Sequence, residues 1–266
     1  MIKNLIRYSI FFIAIHAVAQ KNLEKENFHI FILMGQSNMS GYGELLPQDS
    51  IPLKTIFLLP TISEFDYKWQ PAVHPLHNRL KSDRFGLGLP FAKAYLKNHP
   101  GVKIGLIPVA WGGAAIDQLN KGTDTYNDAV KKALFAQKEG EIKGVLWHQG
   151  ESDTVNEALA NSYEKKLHQL ITDIRTDLNR VSLPFIVGNL AEFYSTGKDH
   201  NAPKRVKQIN KVKQALRDLP IKVKQTGFVE STDGKSIDHH MVHFDRESYI
   251  ILGKRYEKIY NSLIKK

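Results

Sequence analysis

Short runs of apolar residues alternate along the chain with longer segments in which apolar positions recur every three or four residues. The short runs are nearly continuous, which is typical of parallel strands that are covered on both faces. They predict strands at His29–Met34, Thr55–Leu59, Lys103–Val109, Gly144–Trp147, Pro184–Leu190 and Gln225–Val229.

The longer segments carry their apolar side chains on one face, as amphipathic helices do. Asp245 precedes the last of these segments and is placed to cap its first turn. Strands that alternate with helices in this way predict an α/β fold, a three-layer α/β/α sandwich around a doubly wound parallel sheet. The predicted helices are Leu89–Asn98, Asp124–Lys138, Asn156–Leu178, Ala202–Leu216 and Arg246–Ile264.

Composition narrows the classes of function. The chain has 266 residues, of which 42% are hydrophobic, and this suits one large domain over residues 20–266, or at most two small ones. It contains no cysteine, which excludes disulfides, thiolate chemistry and zinc–cysteine sites. The net charge is +10, but the basic residues are scattered and form no stripe interleaved with aromatics, so we expect no nucleic-acid partner. A weak attraction to anionic polysaccharide is compatible with this charge.

The first 19 residues differ from the rest. Lys3 and Arg7 precede an apolar stretch that ends in the small-x-small pattern of residues 17–19. The stretch is short for a membrane span, so the pattern predicts a signal peptide over residues 1–19. We expect a periplasmic or secreted protein with no stable membrane insertion after cleavage; an uncleaved N-terminal anchor is the alternative.

A serine follows the first predicted strand in the segment Gly35-Gln36-Ser37-Asn38. The carboxyl ends of strands in α/β sheets usually carry the active site, so Ser37 is a candidate nucleophile. The segment matches neither a phosphate-binding loop nor a dinucleotide fingerprint, and it lacks the Gly-x-Ser-x-Gly elbow. The alternative interpretation is a loop serine that caps the next helix.

Polar groups also follow two later strands. Gln149 and Glu151 come just after Gly144–Trp147, where an amide N–H could support an oxyanion and a carboxylate could orient a base. Gly112 and Gly113 follow Lys103–Val109 and could point an N–H into the same site. A helix-capping cluster and a plain tight turn are the respective alternatives.

A histidine-rich segment precedes the last helix. His243 is the candidate general base, with a nearby carboxylate to fix its tautomer. His239, His240 and His243 could instead be metal ligands, but their spacing differs from that of the helical zinc motif. We therefore expect neither a metal nor an organic cofactor.

Together these segments resemble the sialate O-acetylesterase-like and acetylxylan esterase enzymes of carbohydrate esterase family 6, in the SGNH hydrolase superfamily. The resemblance extends from about Phe28 to Tyr260, and its most specific motifs are Gly-Gln-Ser-Asn-Met and His-Gln-Gly-Glu-Ser-Asp. It implies a flavodoxin-like α/β/α sandwich, an acyl-transfer reaction without a cofactor, and an acetylated carbohydrate as substrate.

The resemblance also implies roles for single residues. The family nucleophile corresponds to Ser37 and its base to His243. The oxyanion donors correspond to the Ser37 N–H, the N–H of Gly112 or Gly113, and the Gln149 side chain. Trp69, Leu76 and the segment 86–90 are similar to positions near the family's substrate cleft.

One position departs from the family pattern. The family carries its acid as Asp-x-x-His, but His240 stands three residues before His243. Asp238 lies five residues before and requires a longer loop to reach the base, and Glu151 is the other candidate. We expect Asp238 to orient His243, with Glu151 in a supporting or alternate role.

The sequence thus predicts a serine carbohydrate acetylesterase that acts on acetylxylan, sialic acid or a similar glycan. One alternative is a catalytically inactive carbohydrate-binding protein on the same fold, which the unplaced acid motivates. Another is a lipase or thioesterase of the same superfamily, although the polar stretch from Trp69 to Arg84 favours sugar over an acyl chain.

Overall fold

A seven-stranded sheet forms the centre of the molecule. The computed structural model describes residues 24–60, 67–77, 84–196, 202–237 and 241–265. The strands are β1 (Phe28–Gly35), β2 (Ile56–Leu58), β3 (Gln70–Pro71), β4 (Lys103–Pro108), β5 (Glu141–His148), β6 (Phe185–Gly188) and β7 (Thr226–Val229). Their order is β3-β2-β4-β1-β5-β6-β7, and every neighbouring pair is parallel except β2 with β3.

Helices flank this sheet, which confirms the predicted three-layer α/β/α architecture. They are α1 (Ser37–Ser40), α2 (Gly88–Asn98), α3 (Asp124–Ala136), α4 (Glu157–Asp177), α5 (Glu192–Thr196), α6 (Val206–Lys222) and α7 (Arg246–Ile264). Helix α2 packs on α7, and α4 packs on α6. Phe31 of β1 packs against α2 and α7, with its ring 4.8 Å from that of Phe91 and 5.1 Å from that of Tyr260.

All six predicted strands are present, but β5 starts three residues earlier than predicted. The first residues of β5 alternate between half-buried polar and buried positions, and Glu141 forms an ion pair with Lys143. The apolar run alone therefore marked only the part of β5 that is buried on both faces. Strand β3 was not predicted, because two residues that include Pro71 give no periodic signal.

The helices also differ from prediction at their ends. Helix α6 continues to Lys222, past the predicted end at Leu216, and it contains Pro220. A proline removes one backbone donor from a helix, and only two helical residues follow this one. Asp245 caps α7 as predicted, with its Oδ1 accepting from Ser248 N at 2.8 Å.

The sheet topology has a switch point at β1. Strand β1 lies between β4 and β5, and the chain crosses from one side of β1 to the other after β4. Ligands of open α/β sheets bind at such a switch point. Ser37, Gly112 and Gln149 follow the ends of β1, β4 and β5, so the topology brings the predicted site segments to one edge.

Within the described ranges, no helix is long and apolar enough to cross a bilayer. The predicted signal peptide, residues 1–19, lies outside these ranges.

Candidate active site

A close contact between backbones fixes the turn that follows β1. Gly35 has φ +149°, and a Cβ on it would lie 2.1 Å from the carbonyl oxygen of His148. The next residue, Gln36, donates its backbone N–H to that same oxygen at 3.0 Å. Ser37 therefore starts α1 at a rigid turn and lies buried at the edge of the sheet. As the first residue of a helix, it has a backbone N–H without an intrahelical acceptor.

The side chain of Gln36 links this turn to the loop after β5. Its Oε1 accepts from the backbone N–H groups of Gly150 and Ser152, at 3.3 Å each. These two bonds hold the loop that carries Gln149 and Glu151 against the segment that carries Ser37.

The side chain of Asn38, the residue after Ser37, forms hydrogen bonds through both its nitrogen and its oxygen. Its Nδ2 donates to Glu151 Oε1 at 2.6 Å, and its Oδ1 accepts from the hydroxyl of Tyr249 at 2.8 Å. Asn38 is fully buried, so these bonds replace water that burial has removed. They tie α1 to the loop after β5 and to helix α7.

The same amide holds the backbone around His243. Nδ2 of Asn38 also donates to Val242 O at 3.0 Å, while its Oδ1 accepts from Phe244 N at 3.3 Å. The residues immediately before and after His243 are therefore bonded to the residue immediately after Ser37. This arrangement brings two of the predicted site residues together although about 200 residues separate them.

The ring of His243 stacks on the ring of Tyr42. The two centroids are 3.7 Å apart and the planes differ by 9°. The carbonyl oxygen of His243 accepts from Ile237 N at 3.0 Å and from Ser236 Oγ at 3.2 Å. Both the backbone and the ring plane of the candidate base are thus held by neighbouring segments.

Glu151 is buried beneath this arrangement. Burial raises its pKa to about 7, and the hydrogen bond from Asn38 opposes the rise. Within the described residues its Oε2 has no hydrogen-bond partner. Glu151 therefore reaches the His243 segment through Asn38, and its carboxyl is at the border between its neutral and charged forms near pH 7.

Gln149 has two acceptors in this structure. Its Nε2 donates to Ala114 O at 3.0 Å and to Asp153 Oδ2 at 2.5 Å. An amide nitrogen carries two hydrogens, so both are used, and the predicted oxyanion role requires one of them to change its acceptor. Asp153 also accepts from Ile116 N at 2.9 Å, and burial raises its pKa to about 6.

The glycine loop after β4 lies beside the turn of Ser37. Trp111 N donates to Gly35 O at 3.0 Å, and Ser152 Oγ donates to Gly113 O at 2.8 Å. Gly113 has φ +75°, which favours glycine. Neither Gly112 N–H nor Gly113 N–H is donated to another group of the described chain. The loop thus offers backbone donors next to the start of α1.

Three residues of the histidine-rich segment, Asp238, His239 and His240, lie outside the described residues. The prediction that Asp238 orients His243 therefore stays a prediction. In the parts of the chain that the structure describes, no three histidine or carboxylate side chains come together as metal ligands do.

The interpretation of Trp69 as a residue near the cleft is wrong. Its ring lies 4.8 Å from that of Phe28, the first residue of β1, and its Nε1 donates to Glu139 Oε2 at 2.7 Å. That end of β1 is opposite to Ser37. A tryptophan that is exposed near the candidate site is Trp111, which follows β4 and is 43% exposed.

Sequence reasoning missed the roles of Asn38 and Tyr42. Asn38 lies inside the motif Gly-Gln-Ser-Asn-Met, so its place in the motif could have marked it as a site residue. Its four hydrogen bonds to distant segments could not be predicted from the sequence. Tyr42 gave no signal beyond its place between Gly41 and Gly43.

Solved structures share this fold. NanS matches with a TM-score of 0.72 and 17% identity, over 91% of this chain and 99% of its own. A GDSL-like lipase from Parabacteroides merdae matches with a TM-score of 0.59 and 13% identity, over 89% of this chain and 97% of that one. The sheet order and these likenesses define the fold class as a three-layer α/β/α sandwich around a mainly parallel sheet.

The family follows from the sequence as a whole. A family model for the carbohydrate esterases described as sialic acid-specific acetylesterases matches residues 27–262, and the chain belongs to this family. A probable carbohydrate esterase of Arabidopsis thaliana is 38% identical over 178 residues, 59% of this chain and 66% of the plant protein. The solved structure of that plant protein matches at 33% identity with a TM-score of 0.75, over 89% of this chain and 98% of its own.

Proposed function

We propose that this protein is a serine esterase that removes acetyl groups from carbohydrate hydroxyls, with Ser37 as nucleophile and His243 as general base. The observation that carries the proposal is the Asn38 side chain, which bonds to Val242 O and Phe244 N on either side of His243. Membership of a carbohydrate esterase family supports a sugar ester as the substrate.

The reaction proceeds in two halves. Ser37 Oγ attacks the acetyl carbonyl while His243 takes its proton, and collapse of the tetrahedral intermediate expels the sugar oxygen, which His243 protonates. An acetyl-serine remains. Water then attacks it, with His243 again as base, and acetate leaves as Ser37 recovers its proton.

Backbone N–H groups hold the oxyanion in this proposal. The Ser37 N–H and the Gly112 or Gly113 N–H lie on adjoining loops, since Trp111 N bonds to Gly35 O. Each such donor contributes about 3 kcal/mol to the transition state. Gln149 joins them only when it releases Ala114 O or Asp153.

In this mechanism a carboxylate orients the general base and fixes its tautomer. Asp238 orients the Nδ1–H of His243, so that Nε2 faces Ser37. Glu151 supports the same histidine at a distance, because its carboxyl bonds to the Asn38 amide that holds the backbone of residues 242–244.

Trp111 supports a saccharide substrate. A large aromatic ring that is 43% exposed beside a catalytic loop provides an apolar face for the C–H face of a sugar ring. It lies next to Gly112 and Gly113, so it is placed to contact the sugar from which the acetyl group leaves.

The test is acetate release from a panel of acetylated glycans and from 4-nitrophenyl acetate. We expect Ser37→Ala to abolish both while the Tm stays within a few degrees, and Ser262→Ala, an exposed serine in α7, to leave both unchanged. Retention of more than a few per cent of activity in the Ser37 variant contradicts the assignment.

The same panel separates the alternatives. A wild-type protein that binds acetylated glycans and hydrolyses no ester is an inactive binding protein. One that prefers long acyl esters to acetate is a lipase or thioesterase.

A further inference from the structure

Tyr42 forms a platform under the candidate base. Its ring lies parallel to the ring of His243, with the centroids 3.7 Å apart and an angle of 9° between the planes. Contacts between aromatic rings depend on their geometry as well as on the area they bury. Tyr42 and His243 are both half-buried, so one face of the imidazole is covered by the phenol.

The backbone of Tyr42 is fixed on both sides. Gly41 N donates to Ser37 O at 2.8 Å, and Gly41 O accepts from Arg84 N at 2.9 Å. Gly43 exchanges two backbone bonds with Phe85, at 2.9 and 3.2 Å. Gly41, the residue before Tyr42, is therefore bonded directly to Ser37, the candidate nucleophile.

Gly41 shows how tightly this segment is packed. Its φ is +97°, and a Cβ on it would lie 2.4 Å from the Cα of Gly86. The backbone at Gly41, next to Tyr42 in the chain, therefore lies in close contact with the backbone of Gly86.

The stack with Tyr42 acts on the rotation of the His243 ring. Asn38 and Ser236 hold the backbone around His243, but bonds to the backbone do not fix the side-chain torsions. Rotation of the imidazole out of the stack would drive its edge into the phenol ring, since the centroids are only 3.7 Å apart. The stack therefore restricts the ring to one plane.

We propose that Tyr42 is a positioning residue for the esterase reaction: through ring stacking it keeps the His243 imidazole in the plane from which it exchanges protons with Ser37. The inference rests on the proposed function. The aromatic face does this work, so the tyrosine hydroxyl is dispensable. Proton transfer is sensitive to alignment, and misplacement of the base lowers kcat more than it changes substrate affinity.

The experiment compares Tyr42→Phe with Tyr42→Leu in steady-state hydrolysis of 4-nitrophenyl acetate. We expect the leucine change to lower kcat by about tenfold to a hundredfold with KM changed less than about threefold. The phenylalanine change keeps the ring and should retain at least about half of the wild-type kcat. Tyr42→Gln is the second non-aromatic variant, with the same expected loss, should the leucine variant fail to fold.

A second stack in the molecule provides the control. Tyr95 and His99 at the end of α2 stack with centroids 3.9 Å apart and planes at 10°, near the edge of the sheet opposite to Ser37. His99→Leu removes a Tyr–His stack of the same geometry outside the site. We expect its kcat to stay within about twofold of wild type, whatever its effect on Tm.

The outcomes separate this inference from the proposed function. If the wild type hydrolyses no ester, or Ser37→Ala keeps its activity, the proposed function is wrong. If those two results hold but Tyr42→Leu and Tyr42→Gln keep wild-type kcat, only the role of Tyr42 is wrong. An equal loss of kcat in Tyr42→Phe and Tyr42→Leu also overturns it, because the hydroxyl and not the ring would then be responsible.

Discussion

At the scale of single residues, Glu151 links stability to pH. Burial raises its pKa to about 7 from an ordinary value of 4.5. The folded protein therefore keeps a proton on this carboxyl at pH values where the unfolded chain has lost it. The stability linked to that proton is fully present below about pH 4.5 and is lost as the pH rises to about 7. Asp153, with its pKa raised to about 6, acts in the same direction.

We expect Glu151→Gln to flatten this pH dependence. The amide oxygen still accepts from Asn38, but the side chain no longer ionises, so the loss of stability between pH 5 and pH 8 should shrink by about 3 kcal/mol. Urea denaturation at the two pH values measures it. Glu157→Gln, an exposed neighbour at the start of α4, is the control, and an equal change in both variants would contradict the prediction.

A substitution at Trp111 should change sugar recognition without changing the rate of ester hydrolysis. Trp111→Ala should raise KM for an acetylated saccharide about tenfold, because a stacked aromatic contact contributes about 0.5–1.5 kcal/mol beyond its buried area. The rate with 4-nitrophenyl acetate should stay within about twofold, since that ester carries no sugar. Val181→Ala, 80% exposed and remote from the site, serves as control. Equal losses on both substrates would show that Trp111 supports the loop instead.

The sequence made Ser37 and His243 candidates because each stands in a motif beside a predicted element. It did not locate the contacts that join them. The four bonds of Asn38 join it to the loop after β5, the segment around His243 and helix α7, and the stack joins Tyr42 to a ring about 200 residues later in the chain. Such contacts exist only once the fold has formed.

At the scale of elements, the β1–α1 turn depends on Gly35. Gly35→Ala places a Cβ 2.1 Å from His148 O, so β1 and β5 must separate at the site. We expect a loss of about 3 kcal/mol in stability and of most of the esterase activity. Gly101→Ala is the matched control, since Gly101 has φ +86° but open space around it, and should cost about 1 kcal/mol. Urea denaturation of the two variants measures these losses of stability. Similar losses in both would show that backbone strain, and not the contact with His148, causes the effect of Gly35→Ala.

The elements that the sequence predicted best are those with a long periodic signal. Helices α4 and α7 are within two residues of prediction, because apolar positions recur over four or more turns. The two-residue strand β3 and the four-residue helix α1 are too short to show any period. Helix α6 extends past its predicted end at Leu216, and its last turn contains Pro220, which is followed by only two helical residues.

At the scale of the whole molecule, we propose that the mature chain begins near Gln20 and acts in the periplasm or outside the cell. The basis is the flank of Lys3 and Arg7 and the small-x-small pattern at residues 17–19. Intact mass of the protein from its native host should correspond to loss of the first 19 residues. A full-length mass in the membrane fraction would indicate an anchor instead.

The hydrogen bond between Asn38 and Phe244 spans 206 residues of sequence. A chain still emerging from the ribosome has therefore made Ser37 long before it has made the partner segment of its proposed base. A chain that ends before His243 lacks the proposed base, so a C-terminal truncation before this residue removes the centre. Ester hydrolysis by the purified protein would thus report molecules in which the segments around Ser37 and His243 have come together.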